Sequence, residues 1–250
     1  MKLFGLIGYP LGHSFSKKYF TQKFEKEGLD DCVFDLFPIE TISQFPQLLQ
    51  SQPQLTGLAV TIPYKESVIK YLDLLDDEAA KIGAVNCISF SNGKLKGYNT
   101  DVTGFERSFN TLLQPHHQKA LVLGTGGAAK AIAYVLNKLK ISFLQVSRTP
   151  NLKKGIIGYE DISASIMSTY SIIINCTPVG MSPAADLRPA IPYQYLTANH
   201  FLYDLVYQPA TTLFLSAGIE KGAVVKNGYD MLAIQAEENW RIWKDTCITP

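Results

Sequence analysis

The chain has 250 residues, of which 46% are hydrophobic and 18% are charged, and its formal net charge is +1. This composition excludes a disordered chain, a collagen and a disulfide-rich scaffold, and the length suffices for one large domain or two modest ones. Apolar runs such as 172–174 are far shorter than the roughly 20 residues that cross a bilayer, and the first residues lack a signal peptide's cleavage region. We therefore expect a cytoplasmic protein that does not enter the membrane.

The basic residues are unevenly distributed. Between Arg107 and Tyr159 there are eight of them and no acidic residue, which leaves 15 basic against 22 acidic residues in the remainder. A basic region of this kind favours an anionic ligand. Because it lacks the interleaved aromatic residues of a nucleic-acid binder, we expect a small phosphorylated ligand and no nucleic acid.

The four cysteines, Cys32, Cys87, Cys176 and Cys247, lie too far apart for a CxxC pair or a zinc knuckle. They are interpreted as structural thiols, and no metal is expected.

Strand-like and helix-like segments alternate in the first hundred residues. The order is strand 2–8, helix 16–28, strand 32–39, helix 42–50 and strand 55–63. This order favours an open sheet covered by helices. A helical pattern follows over 64–82, and Asn92-Gly93 then predicts an antiparallel hairpin within 85–99.

A second unit begins near Thr103, where a helical pattern runs through Leu113. The segments that follow are strand 120–124, helix 128–140, strands 142–147, 171–175 and 200–206, helix 212–221 and strand 223–226. This is the order of a doubly wound nucleotide-binding sheet. The span 149–170 is short and interrupted by Pro150, so the helix after the second strand is expected to be shortened or missing. The amphipathic segment 231–243 is able to close either unit.

A glycine-rich turn connects the first strand of this sheet to its helix. Residues 124–129 read GTGGAA, and glycines in this context let the backbone approach a pyrophosphate at the helix N-terminus. A tight turn with close packing of strand and helix would give the same pattern.

The end of the next strand bears on the choice of cofactor. An NAD site usually has Asp or Glu there, whereas this strand ends in Ser147-Arg148-Thr149, with Lys153 and Lys154 nearby and no acid. A guanidinium flanked by hydroxyls suits a 2′-phosphate, so NADP is favoured over NAD. The alternative is that Arg148 only ends an exposed strand.

Two serines, Ser14 and Ser16, precede or begin the first helix. They either cap that helix or hold a carboxylate, and His13 beside them is interpreted as a packing or turn residue.

Three further polar residues are candidates for a functional role. Lys65 comes after a strand that ends at Pro63, and it is either a solvated lysine or a functional one; Asn86 is a similar case. Asp101 either caps the following helix or has another role. Thr103 and Glu106 fit a capping box, which would leave Asp101 available for chemistry.

Eight ordered motifs then resemble one known family. They are GHSFS, VTIPYK, GAVN, NTDVTG, GTGGAAK, NCTPVGM, DLVYQP and YDMLAIQA, and together they resemble the shikimate 5-dehydrogenases over nearly the whole chain. The resemblance implies NADP-dependent reduction of 3-dehydroshikimate to shikimate, on the pathway to aromatic amino acids. It implies two open α/β domains: a substrate-binding domain of residues 1–102 and 231–250, and a Rossmann-like NADP-binding domain of residues 103–230.

The same resemblance assigns site residues. Lys65 and Asp101 match the catalytic pair. The substrate is contacted by Ser14 and Ser16 at its carboxylate, and by Thr61, Asn86 and Gln235 with the catalytic pair at its ring. The residues that match cofactor contacts are Gly124, Thr125, Gly126, Gly127, Ala128, Ser147, Arg148, Thr149, Leu205, Tyr207, Gly228 and, less consistently, Asp77. Tyr207 is also assigned to the substrate.

Two departures from the family pattern keep alternatives open. Ser147 replaces an asparagine, and Leu152 stands where a second basic residue is usual, so selectivity for NADP over NAD is open. One alternative is a quinate/shikimate dehydrogenase with relaxed cofactor use. Another is a noncatalytic nucleotide-binding sensor, which would be expected to lack Lys65 and Asp101. The chain is expected to be a monomer or a homodimer.

Overall fold

The computed structural model describes residues 1–12 and 15–248, with side chains described to Asp245. It divides the chain into two compact units. The first unit is Met1–Thr100 with the chain from Gln235 onward, and the second is Asp101–Ile234. These bounds differ by a few residues from the division expected at 102 and 230.

The first unit contains a mixed six-stranded sheet. Its strands are β1 (Lys2–Gly8), β2 (Cys32–Pro38), β3 (Leu55–Val60), β4 (Leu74–Leu75), β5 (Cys87–Ser91) and β6 (Lys94–Tyr98), in the order β2-β1-β3-β5-β6-β4. Strand β1 is parallel to β2 and β3, β5 is antiparallel to β3 and β6, and β4 is parallel to β6. The predicted hairpin is confirmed: Asn92 and Gly93 connect β5 to β6 with φ values of 51° and 71°.

Apolar residues cover both faces of this sheet, because successive side chains of a strand point to opposite faces. Helices α1 (Phe15–Glu27), α2 (Phe45–Ser51) and α3 (Asp77–Ile82) accompany the sheet. On one face Ile7 and Leu58 pack in a cluster with Phe45. On the other, Phe4 packs with Phe20 of α1. A central strand buried on both sides explains why 2–8 is almost continuously apolar.

The helix expected over 64–82 is wrong for most of its length. Leu74 and Leu75 instead form β4, and only Asp77–Ile82 is α-helical. Two aspartates account for the difference: Leu95 N–H donates to the Asp73 carboxylate (2.8 Å), and Asp76 accepts from Glu78 N–H as the cap of α3 (3.1 Å). Side-chain bonds of this kind compete with a continuous helix.

The second unit contains an all-parallel sheet. Its strands are β7 (Lys119–Leu123), β8 (Ser142–Val146), β9 (Ile156–Ile157), β10 (Ile172–Asn175), β11 (Phe201–Asp204) and β12 (Val224–Lys226). Their order is β12-β11-β10-β7-β8-β9, and every pair is parallel. This is the doubly wound order, whose ligand crevice lies outside the carboxyl ends of β7 and β10, where the strand order reverses. The predicted α/β class with a Rossmann-like second sheet is confirmed.

The helices of this unit are α4 (Asp101–Asn110), α5 (Gly127–Lys138), α6 (Ala164–Thr169) and α7 (Leu213–Glu220). A single turn, Leu152–Lys154, and the short β9 occupy the place of a helix directly after β8. Helix α4 begins at Asp101, so Thr103 lies inside it and the expected capping box with Glu106 is wrong. Glu106 instead accepts a hydrogen bond from Lys138 Nζ (2.7 Å).

The last helix, α8 (Tyr229–Ile248), joins the first unit from Gln235 onward. Trp243 is fully buried there and donates from its indole nitrogen to the Ile88 carbonyl oxygen (3.0 Å). Within the described ranges, no helix is both long and apolar enough to span a membrane.

Candidate functional site

In the first unit, backbone hydrogen bonds hold Thr61, Lys65 and Asn86 on adjoining segments. Val60 N–H donates to the Asn86 carbonyl oxygen (2.8 Å), and Val85 N–H donates to the Lys65 carbonyl oxygen (2.7 Å). Thr61 and Lys65 are half-buried, whereas Asn86 is only 3% exposed. The structure therefore places these three predicted site residues on one edge of the first sheet.

Asn86 belongs to a buried cluster of polar side chains. Its Oδ1 accepts from Thr100 N–H (2.7 Å), and its Nδ2 donates to Thr100 Oγ1 (3.0 Å) and to Gln235 Oε1 (3.4 Å). Asn239 completes the cluster: its Oδ1 accepts from Thr100 Oγ1 (2.6 Å), and its Nδ2 donates to Gln235 Oε1 (3.3 Å). Burial makes such groups expensive to leave unpaired, so the cluster is held in one arrangement.

The structure also describes Ser16 and Asp77, two further predicted residues of the first unit. Ser16 is buried in the first turn of α1, whereas Ser14 and His13 lie outside the described residues. Asp77 is exposed in the first turn of α3, where an acidic side chain suits the helix dipole. Asp77 and the glycine-rich loop belong to different units.

Asp101 is the first residue of α4 and directly follows Thr100 in the chain. Its side chain is buried, with 4% exposed.

In the second unit, the glycine-rich loop follows β7 as predicted. Gly124 has a φ of +112°, and a Cβ there would lie 3.3 Å from Thr177 Cγ2, so this position requires glycine. Thr125 and Gly126 are exposed, and α5 starts at Gly127 and Ala128. In the described structure the N-terminus of α5 has no capping side chain and no acidic residue in its first turn. Its backbone N–H groups therefore fit a pyrophosphate.

The predicted phosphate-binding segment follows β8. Arg148 is exposed, and Thr149 N–H donates to Ser147 Oγ (3.2 Å), which closes a tight turn around it. Tyr159 lies near this guanidinium: burial raises the pKa of its hydroxyl, and the Arg148 charge opposes that change. Lys153 is exposed in the next turn, as is Leu152. These groups fit a phosphate, because a guanidinium and hydroxyls are its preferred partners.

Three more predicted residues follow the last two strands of the second sheet, β11 and β12. Leu205 and Tyr207 are half-buried. Gly228 N–H donates to the Val206 carbonyl oxygen (3.2 Å), and a Cβ on Gly228 would collide with the Leu205 carbonyl group. The backbone of these two segments therefore meets too closely for any side chain at 228.

A buried carboxyl group, which the sequence analysis did not single out, supports this end of the sheet. Asp204 is fully buried and accepts from Thr212 Oγ1 (2.6 Å) and Asn175 Nδ2 (2.9 Å). Desolvation raises its pKa to about 6. Asn175 Oδ1 in turn accepts from the Thr177 hydroxyl (2.6 Å), so Asp204 holds the segment that faces Gly124.

Comparison with known proteins identifies the family. Residues 6–88 match the model described as shikimate dehydrogenase substrate binding domain. The chain is 39% identical, over 97% of its length, to a Caldanaerobacter subterraneus protein named shikimate dehydrogenase (NADP(+)), and it covers 91% of that protein. The chain belongs to the shikimate dehydrogenase family.

Solved structures of shikimate dehydrogenases agree with this assignment. The Peptoclostridium difficile shikimate dehydrogenase 1 is 35% identical with a TM-score of 0.86, and the match covers 100% of this chain and 94% of that one. The Thermus thermophilus enzyme, solved with NADP(H) and shikimate, is 29% identical with a TM-score of 0.86, over 98% and 94% of the two chains. The resemblance inferred from eight motifs is thereby confirmed.

Four polar side chains that lie beside predicted site residues of this shikimate dehydrogenase family member were not predicted from the sequence. Thr100 lies inside the quoted NTDVTG motif, and Asn239 follows Gln235 by one helical turn, a spacing that places both on one face of a helix. Asn175 and Asp204 end neighbouring parallel strands, and polar residues at that position are a signal for the ligand edge of such a sheet.

Proposed function

We propose that this chain catalyses the reversible, NADP-dependent reduction of 3-dehydroshikimate to shikimate in aromatic amino acid biosynthesis. The observation that carries the proposal is the 39% identity, over 97% of the chain, to a relative named shikimate dehydrogenase (NADP(+)). The polar cluster of the first unit and the phosphate-compatible loops of the second give that activity a chemical basis.

The first unit binds the substrate in this proposal. Shikimate carries a carboxylate and several hydroxyl groups, which call for hydroxyl and amide partners. Ser14 and Ser16 bind the carboxylate. Thr61, Asn86 and Gln235 bind oxygens of the ring, and the rigid pairing of the two amides lets them do so without reorganising.

Lys65 supplies the proton. A bound NADPH would supply the hydride that reduces the substrate ketone, and the ketone oxygen would then need a nearby proton donor. The Lys65 ammonium donates a proton from Nζ to that oxygen and stabilises its negative charge. Asp101 is the second residue of the catalytic pair that the resemblance assigns, and in the reverse direction Lys65 takes the proton back.

The second unit binds NADP. The loop Gly124 to Ala128 receives the pyrophosphate at the start of α5, and Ser147, Arg148 and Thr149 bind the 2′-phosphate. Leu205, Tyr207 and Gly228 would make further contacts with the cofactor, with Tyr207 also serving the substrate. Asp77 is a further cofactor-side candidate from the resemblance. The proposal includes a cytoplasmic location and a monomer or homodimer.

The test is a matrix of initial rates. The purified chain is assayed with shikimate or quinate and with NADP or NAD, by the absorbance of the reduced cofactor. We expect the highest kcat/KM for shikimate with NADP. Comparable values for quinate and NAD would favour the relaxed quinate/shikimate enzyme, which the departures at Ser147 and Leu152 suggest. Binding of NADP without any turnover would favour the sensor.

A further inference from the structure

Asn239 is a buried amide that neither the motifs nor the proposed roles include. It lies on α8 one turn after Gln235 and is 1% exposed. Its two ends bind different partners: Oδ1 accepts from Thr100 Oγ1 at 2.6 Å, and Nδ2 donates to Gln235 Oε1 at 3.3 Å.

The hydrogen bonds of this cluster fix the orientation of every amide in it. The Thr100 backbone N–H is only a donor, so the Asn86 atom 2.7 Å from it is the oxygen. The other end of Asn86 is then an NH₂ group, and Gln235 must present its oxygen to it, at 3.4 Å. Asn239 faces the same Gln235 oxygen and therefore also presents its NH₂ group.

The Gln235 oxygen is consequently held by two donors from different segments. Rotating the Gln235 amide by half a turn would set its NH₂ group against two other NH₂ groups inside a buried cluster. Such an arrangement leaves several buried donors without acceptors, which is strongly unfavourable. The Nε2 end of Gln235 therefore stays directed away from Asn86 and Asn239, as a hydrogen-bond donor.

We propose that Asn239, with the Thr100 hydroxyl, is a positioning residue that fixes the Gln235 amide with its NH₂ group toward a hydroxyl oxygen of the substrate. The inference rests on the proposed function, since it takes Gln235 as a substrate ligand. Asn239 acts through Gln235 and touches neither substrate nor cofactor.

A double-mutant cycle tests this role. The variants are Asn239→Ala, Gln235→Ala and the double variant, with KM for shikimate, KM for NADP and kcat measured for each. Asn239→Ala is expected to raise the KM for shikimate about 10-fold and to leave the KM for NADP unchanged, because one oriented hydrogen bond is worth about that factor. In the Gln235→Ala background the same change is expected to alter the KM less than about 2-fold.

A matched control removes a buried polar group elsewhere in the same unit. Ser89 is 1% exposed, and its Oγ has no hydrogen-bond partner among the described residues. Ser89→Ala is therefore expected to leave both KM values unchanged. If Asn239→Ala does not fold, Thr100→Val and Thr100→Ser replace it: the valine variant should raise the KM for shikimate and the serine variant should restore it.

Three results would overturn the inference while the proposed function stands, and the first two are an unchanged KM for shikimate in Asn239→Ala and an equal rise in both backgrounds. An unchanged KM in Gln235→Ala also overturns it, because Gln235 is then no substrate ligand. The proposed function itself fails only if the unmodified chain does not oxidise shikimate with NADP.

Discussion

Burial of Asp204 makes the stability of the second unit depend on pH. The side chain is 0% exposed, and desolvation raises its pKa from 3.8 to about 6. Hydrogen bonds from the Thr212 hydroxyl, the Val206 N–H and the Asn175 amide act in the opposite direction and offset only part of the rise.

The direction of this pH dependence follows because the folded state binds the proton of Asp204 more tightly than the unfolded state does. The folded-state pKa lies above the unfolded one, so the contribution of this carboxyl to stability is fully present below its unfolded pKa of 3.8 and is lost as the pH rises through about 6. The difference between these two values corresponds to about 3 kcal/mol of unfolding free energy.

Asp204→Asn removes the titration and keeps the shape of the side chain. The Thr212 hydroxyl is able to turn and accept from the new amide, so the local hydrogen bonds are retained. The unfolding free energy of the variant minus that of the unmodified chain should therefore rise by about 2–3 kcal/mol between about pH 4 and pH 7. Urea unfolding followed by far-ultraviolet circular dichroism measures it, and Trp240 and Trp243 fluorescence identifies the transition of the first unit.

Asp186→Asn is the matched control, because it makes the same charge change at an exposed position of the same unit. Its effect on stability should be small at every pH, as for most surface substitutions. A difference curve for Asp204→Asn that is flat, or that falls with rising pH, would refute the reasoning.

Two further variants test the cofactor side. Arg148→Ala should raise the KM for NADP about 10-fold or more and leave the KM for NAD unchanged. The reason is that the substitution removes a predicted charge-assisted contact to the 2′-phosphate, which only NADP carries. Equal changes in both KM values in initial-rate assays would contradict this prediction. Gly124→Ala should weaken NADP binding in calorimetry and lower stability by about 1–3 kcal/mol, since φ is +112° and Thr177 lies 3.3 Å from the new Cβ. Unchanged binding and stability would show that the turn tolerates a side chain.

Local patterns were enough to predict much of the fold. Strand, glycine-rich turn and helix follow one another directly in the chain, so the start of the second sheet was predictable from residues 119 to 138. Asn92-Gly93 fixed the hairpin for the same reason. In both of these cases the signal and the structure involve neighbouring residues, and the prediction was confirmed.

Contacts between distant residues could not be predicted. Asp73 accepts from Leu95, which is 22 residues away, and this contact helps to divert the chain from the expected helix. Thr100 pairs with Asn239 across 139 residues. The pattern of a single sequence does not show which distant side chains are in contact. The buried polar cluster and the hydrogen bond between Asn175 and Asp204 were therefore visible only in the structure.

The residue assignments at the site came mainly from the resemblance. Sequence position alone did not separate a functional Lys65 from a solvated one. The assignment of the glycine-rich loop to the cofactor also has an independent physical reason, because the loop follows β7 at the carboxyl edge of a parallel sheet, where ligands bind. The assignments of Lys65 and Asp101 stay predictions until they are tested.

The most direct measurement compares Lys65→Ala with the unmodified chain in shikimate oxidation at saturating NADP. If Lys65 exchanges the proton with the reacting oxygen, kcat falls about 10²-fold or more while the dissociation constant for NADP is unchanged. Turnover by Lys65→Ala at the rate of the unmodified chain would contradict the account.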